Sequence, residues 1–91
     1  MYTFAVYDWD EANEEHVALH GLEPYEVEEA MEDPKRVSFS AYNAPSERRY
    51  SIVGATVGGR IIRVIYTLRN DKIRAITAWD AKKSEQRRYK R

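Results

Sequence analysis

The hydrophobic pattern changes period partway along the chain. Tyr2 to Tyr7 (YTFAVY) is a short apolar and aromatic run that reads as a strand. Asp8 or Asp10 can cap a following helix, with Glu11, Glu14 and Glu15 suiting its positive N-terminal end. That helix runs to about His20, and Gly21 is suited to the position just past its end. Glu23-Pro24 opens a second helix, since proline is tolerated in a first turn. Val27, Ala30 and Met31 form its apolar stripe, and Asp33-Pro34 ends it. From Arg36 onward the period is two. Val37, Phe39 and Ala41 alternate with polar residues, and Asn43–Glu47 is a polar loop. Arg48–Val57, Arg60–Leu68 and Lys72–Trp79 then read as three more strands. Lys82–Arg91 reads as a short basic helix. The expected architecture is α+β: one small domain over residues 1–91, with an antiparallel sheet and the order strand, helix, helix, four strands, helix.

Tight turns carry this further, because they fix register. Gly58-Gly59 and Asn70-Asp71 read as two-residue hairpin loops. Val57 then pairs with Arg60, Ala55 with Ile62 and Val53 with Val64; beyond the second turn Arg69 pairs with Lys72, Thr67 with Arg74 and Ile65 with Ile76. Paired residues share a face. The expected core face is Val53, Ala55, Ile62, Val64, Tyr66, Leu68, Ile73, Ala75, Thr77 and Trp79. The other shows Tyr50, Ile52, Ile65 and Ile76 among Arg48, Arg63, Arg69, Lys72 and Arg74. A basic face interleaved with aromatic and aliphatic side chains can hold RNA. The alternative is a partly covered second face whose arginines lie over apolar neighbours.

Charge sharpens that choice. Hydrophobic residues make up 43% of the chain and charged residues 33%, an ordinary globular balance. The net charge is zero, yet Met1–Asp33 holds eleven acidic residues and no lysine or arginine. Pro34–Arg91 holds all fifteen basic residues against four acidic ones. Such asymmetry points to a polyanionic partner for the basic part, or to two halves that neutralise each other. No run of about 18 apolar residues exists, so no transmembrane helix is expected, and the N-terminus lacks the features of a signal peptide. The absence of cysteine excludes disulfides, thiolate metal sites and a cysteine nucleophile, and fits a reducing cytoplasm.

Chemistry is left to arginine. His16 and His20 share a helix face, but zinc needs a third ligand that no recognisable residue supplies. No phosphate-binding glycine loop or nucleophile elbow occurs, so neither a cofactor nor a metal is expected. RNA can be cleaved by its own 2′-OH attacking the adjacent phosphate. Guanidinium groups stabilise the charge that develops, and a second group must move the proton. The proton carriers on offer are His20, Tyr50, Tyr66, Glu85 and Tyr89.

Trp9-Asp10, His20-Gly21 and Pro24-Tyr25-Glu26-Val27 stand in the first part of the chain; Arg49-Tyr50, Gly54, Gly59-Arg60, Tyr66-Thr67, Arg69 and Arg74-Ala75-Ile76-Thr77-Ala78 stand in the sheet region. Glu85, Arg88 and Tyr89 close the series. In that order, over nearly the whole chain, the set resembles the BrnT-like toxins of bacterial toxin–antitoxin pairs. The resemblance implies a RelE-like fold, a ribonuclease that inhibits translation, and a cognate antitoxin, with a homodimer or toxin–antitoxin hetero-oligomer as the expected assembly. On this reading His20, Arg49 and Arg74 are the expected catalytic residues, and Arg48, Arg63, Arg69, Lys72 and Arg88 the expected RNA-binding ones. Two departures stand out. Trp79 occupies a position where the family commonly has arginine. His16 and Leu19 stand nearest the family's Asn and Lys of the first helix, in a segment one residue shorter. The rival reading is a non-catalytic module that binds RNA or a protein.

Overall fold

The computed structural model describes residues 5–41 and 43–91. Its elements are α1 (Glu11–Ala18), α2 (Pro24–Met31), β1 (Val37–Phe39), β2 (Tyr50–Ala55), β3 (Ile61–Arg69), β4 (Lys72–Asp80) and α3 (Lys83–Tyr89). The strands form one antiparallel sheet in the order β1-β2-β3-β4, as the switch from helical to alternating periodicity leads one to expect. The strand expected over Tyr2–Tyr7 lies partly outside the described residues. Its described end meets β4 in a parallel sense: Tyr7 bridges Ile73, and Asp8 N–H donates to the Ile73 carbonyl at 2.8 Å.

Local chemistry explains the helix boundaries. Asp10 caps α1, its carboxylate accepting from Asn13 N–H (3.2 Å) while Asn13 Oδ1 accepts from Asp10 N–H (2.8 Å). Asn13 also donates to the carbonyls of Asp8 and Ala75, both at 2.9 Å, which pins α1 to β4. Gly21 comes just past the helix at φ +71°, the left-handed conformation that glycine adopts without strain. In α2, Glu26 returns a bond to Glu23 N–H at 3.0 Å. Val17, Leu22, Val27, Ala30 and Met31 bury against Ile52, Ile62, Val64, Ala75 and Ala78. The closest approach is at Gly54, where the backbone of Ala30 sits directly above the strand.

Two register expectations need correction. The first hairpin is closed by three residues rather than two. Ala55 pairs with Ile61, Ile52 with Val64 and Tyr50 with Tyr66. The Thr56 carbonyl accepts from Gly59 N–H, Thr56 N–H donates to the Arg60 carbonyl, and Gly59 takes φ +89°. This matches a type I turn completed by a left-handed glycine. The extra loop residue exchanges the faces of β2: Tyr50 and Ile52 join the helix side, and Val53 and Ala55 turn away from it. The second hairpin has the expected two-residue loop, with Asn70 at φ 52° and Asp71 at φ 62°, and keeps the expected pairing through Tyr66 and Ala75. There a bulge intervenes, and Ile65 pairs with Thr77 rather than Ile76, Val64 with Ala78, and Arg63 with Trp79. Thr77 and Trp79 therefore share the Arg63 face and not the core face.

The second face is not open. α3 folds across it, and Val53 beneath is completely buried. Arg63 holds the helix down: Nη1 donates to Glu85, Nε to Ser51 Oγ (2.8 Å) and Nη2 to the Ser40 carbonyl (2.7 Å). The Tyr89 hydroxyl donates to Asp33 at the end of α2, tying the two helical layers together. The sheet is thus sandwiched between α1/α2 and α3.

Candidate functional site

The basic residues fall into groups that the linear sequence does not reveal. Beyond the covered part of the sheet, Arg49 and Arg69 meet at Glu47, with Arg74 near enough for its charge to act on that carboxylate. The Glu47 carboxylate accepts from Arg69 Nη2 at 2.8 Å and lies 3.8 Å from Arg49. The Arg69 bond, reinforced by the charges of Arg69, Arg49 and Arg74, holds this carboxyl below its ordinary range. Arg74 reaches the other way, to the start of α1, pairing with Asp10 at 2.9 Å and Asp8 at 3.5 Å. The bond to Arg74, with that from Asn13 N–H, likewise depresses the Asp10 carboxyl. The acidic opening of the chain therefore neutralises part of its basic second half.

Of the three expected catalytic residues, Arg49 and Arg74 share this cluster. His20 does not. It sits just past α1, its carbonyl accepting from Arg60 Nη2 at 2.7 Å and its ring 6.3 Å from that of Trp79. Arg60 also donates to the Gly21 carbonyl at 2.8 Å and pairs with Asp80 at 2.6 Å, so it closes the C-terminal end of α1. Asp80 stands six residues beyond Arg74 on β4, roughly 20 Å along an extended strand. The histidine beside Arg74 is His16, which lines a small cavity of about 90 Å³ with Ala12, Asn13, Arg74 and Ile76. His16 was legible only in part: it lies three residues after Asn13 and so shares its face, but that this face meets β4 follows from the Asn13–Ala75 bond of the fold. Glu47 carried no such signal, because its role depends on a loop folding back between two strands.

The expected RNA-binding residues divide similarly. Arg63 is committed to Glu85, Ser51 and Ser40. Arg88 lies over the Phe39 ring, 4.2 Å from its centroid, and reaches the Ser38 carbonyl. Arg69 is held by Glu47 but keeps 47% of its side chain exposed. Lys72 is exposed beside the β3–β4 turn. Arg48 is exposed, its guanidinium 5.5 Å from the Tyr50 ring centroid. Arg48 and Arg49 border a polar groove of about 310 Å³ with Ser38, Ser40 and Asn43. Among the described residues no group of three or more His, Asp or Glu is placed to hold a metal ion, and no helix is long and apolar enough to cross a membrane.

These features define a small α+β domain with an arginine cluster and an adjacent histidine at one end of its sheet. The family model described as the ribonuclease toxin BrnT of type II toxin–antitoxin systems matches residues 9–85, and the chain belongs to that family. Membership in a type II toxin family implies an antitoxin partner. Comparison with curated proteins returned no match.

Proposed function

We propose that the protein is an endoribonuclease toxin that cleaves RNA at the arginine cluster and thereby inhibits translation. The family match over residues 9–85 carries this reading, and the pairing of Arg49 and Arg69 with one carboxylate, on which the charge of Arg74 also acts, supports it. A phosphodiester approaching the cluster would take the place of Glu47, or of Asp10 and Asp8, on the guanidiniums. Arg49 and Arg74 would then stabilise the charge that builds on the phosphate as the 2′-OH, losing its proton, attacks phosphorus and the 5′-oxygen leaves and is protonated, giving a 2′,3′-cyclic phosphate and a 5′-OH. Two histidines compete for the proton-transfer role. His20 is the one singled out by the resemblance; His16 is the one beside Arg74, and geometry favours it, since a base must lie within reach of the proton it moves. No step here requires a metal ion.

A second reading, a non-catalytic member that binds RNA or its antitoxin, is favoured by one observation. Asp8, Asp10, Glu47 and Glu85 already occupy Arg74, Arg69 and Arg63, and phosphate must compete with them. The antitoxin would then cover the arginine cluster with an acidic or amphipathic segment, in a toxin–antitoxin hetero-oligomer. Incubating the purified protein with a long RNA, with and without ribosomes, separates the readings. Cleavage lost in Arg49→Ala, Arg74→Ala and His16→Ala supports the enzyme; loss in His20→Ala with His16→Ala unchanged returns the proton-transfer role to His20. Salt-dependent binding without cleavage selects the non-catalytic reading. For three to five phosphate contacts the log–log salt slope would be about −2 to −3.5 on single-stranded RNA, and losing Arg48 and Arg49 together would flatten it by about 1.4.

A further inference from the structure

A cavity of about 480 Å³ lies on the face of β3 and β4 opposite Arg69 and Arg74, at the end of α2, and is lined by Tyr7, Glu32, Arg36, Tyr50, Tyr66 and Leu68, among others. Its walls combine three features. Tyr50 and Tyr66 are paired across β2 and β3 and stack with centroids 5.4 Å apart and planes 22° from parallel. Arg36 brings a guanidinium whose charge acts on the hydroxyls of Tyr7 and Tyr66. Glu32 accepts from the Tyr7 hydroxyl at 2.9 Å through Oε2, leaving its second oxygen for another donor. Leu68 at the rim is 57% exposed. The same two tyrosines also line the polar groove that holds Arg48 and Arg49. The tyrosine stack is therefore the partition between an apolar cavity and a groove leading to the arginine cluster.

We propose that this cavity is a nucleotide-binding subsite: one base of a single-stranded RNA stacks on the face of Tyr66 that Tyr50 leaves free, its phosphate meets Arg36, and the neighbouring phosphate crosses the tyrosine partition to Arg48 and Arg49. Aromatic stacking is the usual way proteins hold unpaired bases, because every base has a π-face. The carboxylate gives the subsite a preference. Glu32 accepts from the exocyclic amines of adenine, cytosine and guanine, whereas the exocyclic atoms of uracil are carbonyl oxygens, which repel a carboxylate and flank its single N3–H donor. The subsite therefore favours amine-bearing bases. This rests on the ribonuclease reading, because it supplies that reaction with a site for positioning its substrate.

The test uses hexa-adenylate and hexa-uridylate titrated into the whole protein at low salt, followed by backbone amide NMR shifts. Hexa-adenylate should bind more tightly, with the largest shifts at Tyr66, Leu68 and Ile73. Tyr66→Leu should weaken it by about five- to 150-fold, the range for losing one stacked base. Arg36→Gln should weaken both oligomers, and Glu32→Gln should narrow the gap between them. Leu68→Glu, an exposed rim position, should block binding with an unchanged melting temperature, which keeps the test valid if Tyr66→Leu fails to fold. Equal affinity of wild type and Leu68→Glu, or shifts confined to the Arg49–Arg74 cluster, overturns the subsite. The two proposals fail separately: RNA cleavage retained by Leu68→Glu sinks the subsite and leaves the enzyme, whereas oligomer binding at the cavity without cleavage leaves the subsite and sinks the enzyme.

Discussion

Replacing Gly54 with alanine tests the helix–sheet packing most directly. A Cβ at this position would lie 2.2 Å from the Ala30 carbonyl oxygen and 3.0 Å from its carbon. Nonbonded carbon contacts settle near about 3.5 Å or beyond, so α2 would have to retreat by on the order of 1 Å. Both sides of the contact are backbone, and no rotamer change can absorb the clash. Lifting α2 also loosens Val27, Ala30 and Met31 from Ile52. Overpacked substitutions typically cost about 1–3 kcal/mol, and a backbone–backbone clash belongs at the upper end, about 3 kcal/mol. At about 4–8 °C per kcal/mol for a domain of this size, the melting temperature should fall by about 12–24 °C. Urea titration followed by tryptophan fluorescence gives the same quantity independently. Gly58→Ala is the control, because its Cβ would meet only Thr56 Oγ1 at 3.8 Å; it should stay within about 0.5 kcal/mol. A Gly54→Ala protein as stable as the wild type, or a Gly58→Ala protein equally destabilised, would refute the direct contact between α2 and β2.

Two further predictions concern α3. Glu85→Gln removes the charge that Arg63 meets beneath that helix and should cost about 2 kcal/mol, allowing for the partial exposure of the arginine; an unchanged urea midpoint would show that α3 docks by apolar contact alone. The Asp33–Tyr89 bond should give stability both an acid and an alkaline limb. Burial alone would raise the Asp33 carboxyl, but bonds from the Tyr89 hydroxyl and the Ala55 and Lys35 N–H groups outweigh it and hold the carboxyl below 3.8. Its stabilisation is complete above that value and disappears as pH falls through the lower folded one. Tyr89, held neutral chiefly by the same bond and then by burial, is pushed up to about 12; its share is present below about pH 10 and is lost as pH rises toward 12. Tyr89→Phe should weaken both limbs, and a pH series of thermal melts that superimposes on the wild type would exclude the bond.

Elements were legible in the sequence where one local signal sufficed. Asp10, Pro24 and Gly21 mark helix ends through chemistry confined to a turn. Asn70-Asp71 forms the two-residue turn that both residues tolerate, and it carried the correct register for four pairs. The errors share a cause. Gly58-Gly59 admits loops of two or three residues, and side-chain period cannot choose between them when both faces of β2 are apolar. Val53 and Ile52 look alike in sequence, and both are buried because α3 covers the face that a two-layer reading leaves open. The bulge at Ile76 leaves no glycine or proline to mark it, so the faces of Thr77 and Trp79 were beyond local reading.

The charge pattern shows why the candidate site was only half legible. The asymmetry between Met1–Asp33 and the remainder is visible in composition, but composition cannot say whether opposite charges meet each other or a ligand. In the fold some meet each other and others stay exposed. Arg74 is met by Asp8 and Asp10 from the acidic opening of the chain, while Arg60, Arg63 and Arg69 find partners in Asp80, Glu85 and Glu47, all from the basic part. Other charged groups are segregated. Glu11, Glu14, Glu15 and Glu23 line a surface cleft between α1 and α2, whereas Arg48 and Lys72 are exposed at the turn end of the sheet. A neutral chain thus has an acidic helical side and a basic sheet end. On the proposed ribonuclease reading, polyanion binding would depend on these exposed cations, together with those that a phosphate can take from a carboxylate. The competition makes RNA affinity a sensitive reporter: Glu47→Gln should strengthen binding by releasing Arg69, with a steeper salt dependence. An unchanged affinity in that variant would mean that the Glu47 cluster is structural and that RNA is held elsewhere.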